Sequence, residues 1–205
     1  MARKRRSFRR PKPKLAYRKL FVIATEGEKT EPAYFELFNS KEATVWIKVL
    51  PSRRQTSPQQ VLERTLDYVK EKNLKKRDEI WLVIDRDEWS TAQLEDVFSK
   101  CQPLDFHLAV SNPKFEYWLL LHFEDGKGIK SPESCSKKLL QHLPNYKKNH
   151  LEIHKLYPRI SDAIRRAKEK DQPPCKKWPG QNGSTVYLLV EKLYVDTACQ
   201  RKENL

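Results

Sequence analysis

No stretch of this sequence is apolar for long enough to cross a bilayer, and charged residues make up 33% of it, which argues against a membrane protein. The first residues are basic, but no apolar segment of the signal-peptide kind follows them, so a cytoplasmic protein is expected. Cysteine is scarce. Cys101, Cys135, Cys175 and Cys199 are scattered with no Cys-x-x-Cys pair, and read as reduced thiols rather than a zinc site or a disulfide framework. His150 and His154 stand four residues apart, yet no catalytic glutamate pattern or third ligand accompanies them, so they read as surface histidines. A Walker A sequence is missing, so any dependence on ATP has to come from a partner protein. No internal repeat occurs. A chain of 205 residues can bury one good core with a small appended subdomain.

What the chain has in excess is positive charge, +14 in all, and it is unevenly spread. Residues 1–19 carry ten basic side chains, among them Arg3, Lys4, Arg5, Arg6, Arg9 and Arg10, and no acidic one. The remainder holds 31 basic against 27 acidic residues, a balance of only +4. Residues 1–19 therefore read as a disordered polybasic arm, with phosphate attraction as its use. A solubilising extension or an anionic lipid partner would fit the same composition.

The most informative stretch is IWLVIDRDEW, from Ile80 to Trp89. Its uninterrupted apolar run suits a strand buried on both faces, and it stops abruptly at Asp85-Arg86-Asp87. In an open α/β sheet, ligands bind at the carboxyl ends of the strands. Alternation sends Asp85 and Asp87 to one side and Arg86 to the other. Two neighbouring carboxylates repel unless a cation lies between them, and such hard oxygen ligands suit Mg²⁺. The alternative is a solvated turn capping a helix that starts near Ser90. A second apolar run, Leu20 to Ala24, stops at Thr25-Glu26-Gly27, and so places Glu26 at another strand end. Thr30 is the expected N-cap of the helix that follows, with Pro32 in its first turn. Thr44 to Leu50 and Phe106 to Val110 read as further strands. Ser57 and Ser90 open capping boxes before helices. Strands and helices alternate at βαβ spacing, so the expected fold is α/β with a largely parallel sheet flanked by helices. From Asp125 onward the pattern is helical, with helices near 131–143, 151–170 and 184–196 joined by a Pro/Gly-rich loop at 173–183. The expected organisation is an arm at 1–19, an α/β core at 20–124 and a helical C-terminal extension at 125–205 packed on that core.

A strand ending in Glu-Gly, followed by a hydrophobic strand ending in Asp-x-Asp, resembles the Toprim domain of topoisomerases, primases and OLD-type nucleases. More closely, TEGEKTEPAYFELF at 25–38, IDRDEW at 84–89, SNPKFEYWLLLHF at 111–123 and STVYLLVEKL at 184–193 resemble RloB-like (AbiLii-like) proteins of bacterial restriction and abortive-infection loci. The resemblance implies a Toprim-like core and a Mg²⁺- or Mn²⁺-dependent nuclease. It also implies an anti-phage role and an ATPase partner from the same locus. On it, Glu26, Asp85 and Asp87 are both the metal ligands and the catalytic residues.

The residues support that chemistry independently of the family. Phosphodiester cleavage needs neutralisation of developing charge, an aligned nucleophile and a proton route. Glu26 can complete a metal shell or act as general acid/base, and both roles stay open. Lys29 either contacts a phosphate or balances Glu28 and Glu31. Asn112 contacts the site or shapes its turn, and Glu116 is a further carboxylate or a helix-start charge. Lys147 and Lys148 belong to a candidate nucleic-acid track. A nucleotidyltransferase and a non-catalytic nucleic-acid-binding subunit are the alternative functions. Deleting residues 1–19 is expected to weaken nucleic-acid binding and flatten its salt dependence while sparing metal binding. Equal affinity with an unchanged salt slope would remove the arm from the account.

Overall fold

The computed structural model of the chain describes residues 18–39, 45–52, 57–87 and 89–203, with side chains as far as Tyr194. Residues 1–17 of the polybasic arm, its six named candidate contacts among them, lie outside the described residues, while Lys19, expected at the end of the arm, begins β1. Five strands form one sheet: β1 (Lys19–Thr25), β2 (Val45–Leu50), β3 (Glu79–Asp85), β4 (Phe106–Asn112) and β5 (Gly183–Ser184). Their order is β2-β1-β3-β4-β5, and every pair is parallel except β4 with β5. Among the described residues eight α-helices accompany them: α1 (Thr30–Phe35), α2 (Pro58–Lys70), α3 (Thr91–Cys101), α4 (Phe115–Leu120), α5 (Pro132–His142), α6 (Ile153–Leu156), α7 (Ile160–Lys170) and α8 (Val186–Glu203). None of the described helices is long and apolar enough to cross a membrane. The α/β reading, the largely parallel sheet and the helical C-terminal part all hold.

The middle of each inner strand is apolar because each face meets helices. Val22, Ala24, Ile80, Leu82, Ile84, Leu108 and Val110 pack with Val61 and Leu62 of α2 and with Leu94, Val97 and Cys101 of α3. The alternate residues Phe21, Ile23, Trp81, Val83 and Ala109 join the larger core with α1, α4, α5, α7 and α8. That second layer runs on from residues before 124 to residues after it. Capping boxes at Ser57 and Ser90 start α2 and α3 as the sequence requires.

Two local expectations changed. The segment 183–185 is not all helix: Gly183 and Ser184 add a short antiparallel strand, tied by Ser111 Oγ to Ser184 Oγ at 2.8 Å and by Thr185 Oγ1, which accepts from Val110 N at 2.8 Å. Thr30 does not cap α1. It is the first residue of that helix, and its hydroxyl donates instead to the carbonyl of Lys148 at 3.1 Å. A tertiary bond has taken the group that local sequence assigned to the helix end.

His122, 1% exposed, sits in the larger core between two groups that fix its tautomer. The Trp118 carbonyl can only accept, so Nδ1 carries the proton and donates to it at 3.1 Å, leaving Nε2 to accept from the Tyr34 hydroxyl at 3.1 Å. Burial pulls the imidazole down to about 4, with the nearby Arg166 and Arg159 acting in the same direction. The unfolded chain takes up this proton near pH 6.5 and the folded chain only near pH 4. Stability is therefore complete above 6.5 and is lost as the pH falls through that window, by about 3 kcal/mol in all. The stability difference between the wild type and His122→Gln should narrow by that order between pH 7 and pH 4. A difference independent of pH, measured by denaturant unfolding, would show that the ring is not held neutral.

Candidate functional site

The chain leaves β1 for β2 on one side and then returns to place β3 on the other, so the order of strands reverses between β1 and β3. Such a switch point leaves a crevice outside the carboxyl ends of the two strands. Glu26 follows β1, and Asp85 ends β3. Glu26 N donates to the Val83 carbonyl at 3.0 Å, which carries the β1–β3 ladder one step further. The Glu26 carboxylate then bridges outward: Oε2 accepts from Asp85 N at 3.1 Å, and Oε1 accepts from the Trp89 indole at 2.8 Å. Glu26 and Asp85 are thus neighbours in space across 59 residues of sequence.

The Asp-Arg-Asp turn is fixed by β4. Arg86 N donates to the carbonyls of Ser111 and Pro113 at 2.9 and 3.0 Å, and Asp87 N donates to the Pro113 carbonyl at 3.0 Å. Arg86 turns its guanidinium away, to the Trp89 carbonyl and to Thr91 Oγ1. Asp85 and Asp87 both face the crevice, a cavity of about 690 Å³. The turn after β4 brings Lys114 and Glu116 to the same cavity, and the turn after β1 brings Lys29 and Glu31.

Among the described residues, six carboxylates (Glu26, Glu28, Glu31, Asp85, Asp87, Glu116) and three lysines (Lys29, Lys114, Lys148) line the cavity, a formal −3 in a chain of +14. Burial, then the charges of Glu31, Glu26, Glu116 and Asp87, push the Asp85 carboxyl well above the usual range. Burial also raises Glu31, with the Glu116 charge adding to it against the Gly27 N–H and Lys148. Repulsion of this kind is relieved by a proton or by a cation. The donors are all oxygen, with no imidazole or thiol lining the cavity, which fits a hard divalent ion and not zinc. Among the described residues, no group of three or more His, Cys, Asp or Glu could by itself hold an ion. Magnesium fits such an arrangement, since it binds through one or two carboxylates and keeps several waters.

Of the residues singled out in the sequence, the fold brings Glu26, Asp85, Asp87, Lys29, Glu116 and Lys148 to one cavity. Lys147 is not part of its lining, and Asn112 points elsewhere: its amide donates to the Pro179 carbonyl at 3.1 Å and so shapes the loop. Three residues that the sequence did not assign to this site belong to it. Glu31 is 7% exposed, and its Oε1 accepts from Gly27 N at 3.1 Å. Trp89 holds Glu26. Tyr146 donates to Glu116 Oε1 at 2.9 Å, and only the tertiary fold connects those two.

Gly27 has a reason that the sequence did not reveal. Its φ is outside the left-handed region, so no turn demands glycine here. A Cβ at this position would lie 2.1 Å from Glu31 Oε2. Gly27→Ala must therefore expel the Glu31 carboxylate from its buried seat, and should lower stability by about 1–3 kcal/mol. The cost should largely vanish in a Glu31→Ala background. An equal cost in both backgrounds, read from thermal unfolding, would show that Gly27 matters for another reason.

Comparison with known proteins adds one finding. No curated protein and no solved structure matches the chain. The family model described as RloB-like protein matches residues 21–193, which includes β3, β4, β1 from Phe21 onward and every described residue lining the cavity. The chain therefore belongs to the RloB-like protein family.

Proposed function

We propose that this protein is a Mg²⁺- or Mn²⁺-dependent nuclease with a Toprim-type site that hydrolyses phosphodiester bonds of DNA or RNA, tRNA among the candidates. Its expected setting is an anti-phage, abortive-infection system in which an ATPase partner from the same locus controls it. The observation that carries this reading is the oxygen-only carboxylate cavity at the switch point, where Asp85 is crowded by four other carboxylates.

Asp85 and Asp87 would hold the ion, with Glu26 beside them already oriented by the Asp85 N–H and the Trp89 indole. Bound there, the ion supplies neutralisation of charge on the phosphoryl oxygens and a more acidic water. The remaining work falls to the protein. Lys29, Lys114 and Lys148 provide positive charge around an otherwise acidic cavity, so a phosphate can approach it. Glu31 stands beside them, and the raised affinity of this carboxyl for protons suits it to take a proton from the attacking water. The Asp-Arg-Asp turn holds its two carboxylates still through backbone bonds to β4, so little reorganisation is needed when substrate binds.

Asp85→Asn keeps size and shape while removing one negative charge. Without metal it should raise the melting temperature, because burial and four neighbouring carboxylates oppose the ionised Asp85. In Mg²⁺ it should lower cleavage of nucleic acid by roughly a hundredfold or more, the scale of losing a principal charge stabiliser. The measurement is cleavage of DNA and RNA by purified wild type and variant, with the ATPase partner present, alongside thermal melts with and without Mg²⁺. Nucleic acid that is bound but never cut by the wild type would favour a binding subunit. Product longer than the substrate, formed only with nucleoside triphosphates, would favour nucleotidyl transfer.

A further inference from the structure

The helical part of the chain sends one segment back to the carboxylate cavity. Lys147 N donates to the His150 carbonyl at 3.2 Å and His150 N donates to the Lys147 carbonyl at 2.8 Å, which closes a tight hairpin with Lys148 and Asn149 at its tip. The hairpin is fastened to the site at two points. Thr30, at the start of α1 and 6% exposed, donates its hydroxyl to the Lys148 carbonyl at 3.1 Å. Tyr146, one residue before the hairpin, donates to Glu116 Oε1 at 2.9 Å, and its oxygen lies 3.4 Å from Thr30 Oγ1. Each hydroxyl has one proton, and both protons are directed by these acceptors. Burial, followed by the Glu116 charge, raises the Tyr146 phenol, so it remains a donor.

The result is an unusual pairing of constraint and freedom at one residue. The backbone of Lys148 is bonded to α1, while its side chain is exposed at the mouth of the cavity, where its charge is felt by Glu31. A merely solvated lysine needs no such anchoring. Neither does a structural counter-ion, which would be drawn down onto the carboxylate. Among the described residues Lys148 makes no salt bridge, although six carboxylates line the same cavity.

We propose that the segment 146–150, with its 147–150 hairpin, is the substrate clamp of the carboxylate site. Lys148 grips a backbone phosphate of the nucleic acid, and Tyr146 is the positioning residue that sets the height of the clamp through Glu116. The proposal deepens the nuclease reading, since it names what holds the substrate there, but it is read out by binding and not by cleavage. The clamp also explains why the site spans both parts of the chain: the α/β part brings the carboxylates with Lys29 and Lys114, and the helical part brings Lys148.

The test uses the full chain in buffer with Ca²⁺ in place of Mg²⁺, and labelled single-stranded DNA and RNA oligonucleotides over a range of salt. Lys148→Ala should weaken binding several-fold with an unchanged melting temperature, because the side chain is exposed. The slope of log affinity against log salt should fall by about 0.7, the share of one phosphate contact on a single strand. Tyr146→Phe keeps the packed ring and loses only the hydroxyl. It should weaken binding in the wild type and add nothing in the Lys148→Ala background. Additive effects, an unchanged salt slope for Lys148→Ala, or no binding of either oligonucleotide by the wild type would each overturn the clamp. Cleavage of the same oligonucleotides in Mg²⁺ separates the two claims. Binding that depends on Lys148 with no cleavage by the wild type, partner included, leaves the clamp standing and removes the nuclease.

Discussion

The Glu26 carboxylate is the joint on which the site turns. One oxygen takes the backbone N–H of Asp85 and the other takes the Trp89 indole, so a single side chain ties the end of β1 to the end of β3 and to the turn beyond it. Strand β3 has no further ladder partner on that side at this height, because β1 has already turned away. Without Glu26 the Asp85 N–H would lose its acceptor at the half-buried mouth of the crevice, and an unmet donor there costs about 1–3 kcal/mol. The same carboxylate that completes the sheet also adds to the negative charge around Asp85. Structure and electrostatics thus meet in one residue.

That negative charge has a counterpart at the opposite edge of the sheet. Glu79, at the start of β3, receives Lys19 and Lys192 as ion-pair partners and the Trp81 indole as a third donor, at distances of 2.5 to 2.9 Å. There a carboxylate is fully matched by cations, although burial opposes its charge, and it is held down to about 2. At the carboxyl edge the carboxylates outnumber the lysines and Asp85 is pushed the other way. One strand thus carries a satisfied acid at its beginning and an unsatisfied one at its end. Only the second arrangement leaves work for a ligand.

Much of this was legible before any coordinates. The apolar runs 20–24 and 80–84 are strands because only a doubly covered strand tolerates hydrophobic residues on both faces, and their abrupt ends located Glu26 and Asp85. The βαβ spacing then implied a parallel sheet, and parallel strands bring their ends to one edge. What could not be read was anything decided by a contact between distant segments. Glu31 looked like a charge balancing Lys29, since its burial depends on how α1 meets the rest of the cavity. Thr30 looked like an N-cap because its true acceptor is 118 residues away. Tyr146 sits in a lysine-rich segment whose local composition describes a solvated surface. Asn112 had two readings open: it lies at a strand end, as a site residue should, but its amide donates to the Pro179 carbonyl of the 173–183 loop.

These misses share a physical origin that bears on how the family site is built. Periodicity and strand ends report the sheet, whose geometry is nearly fixed by backbone hydrogen bonding. They report nothing about the loops that wall the cavity, because a loop can satisfy its polar groups in many ways. In this chain the uncertain half of the site is the half supplied from outside the βαβ units. The helical part reaches the cavity through a short hairpin whose two anchors, Thr30 and Tyr146, are neutral hydroxyls. Neutral anchors hold a loop without adding to the charge of the cavity, so the balance of six carboxylates and three lysines is left to the groups that face the ligand. The sheet therefore sets where the negative charge is concentrated, and the hairpin sets how close positive charge can come to it. A change in hairpin length or in either hydroxyl would alter what the cavity accepts while leaving Glu26, Asp85 and Asp87 where the sheet puts them.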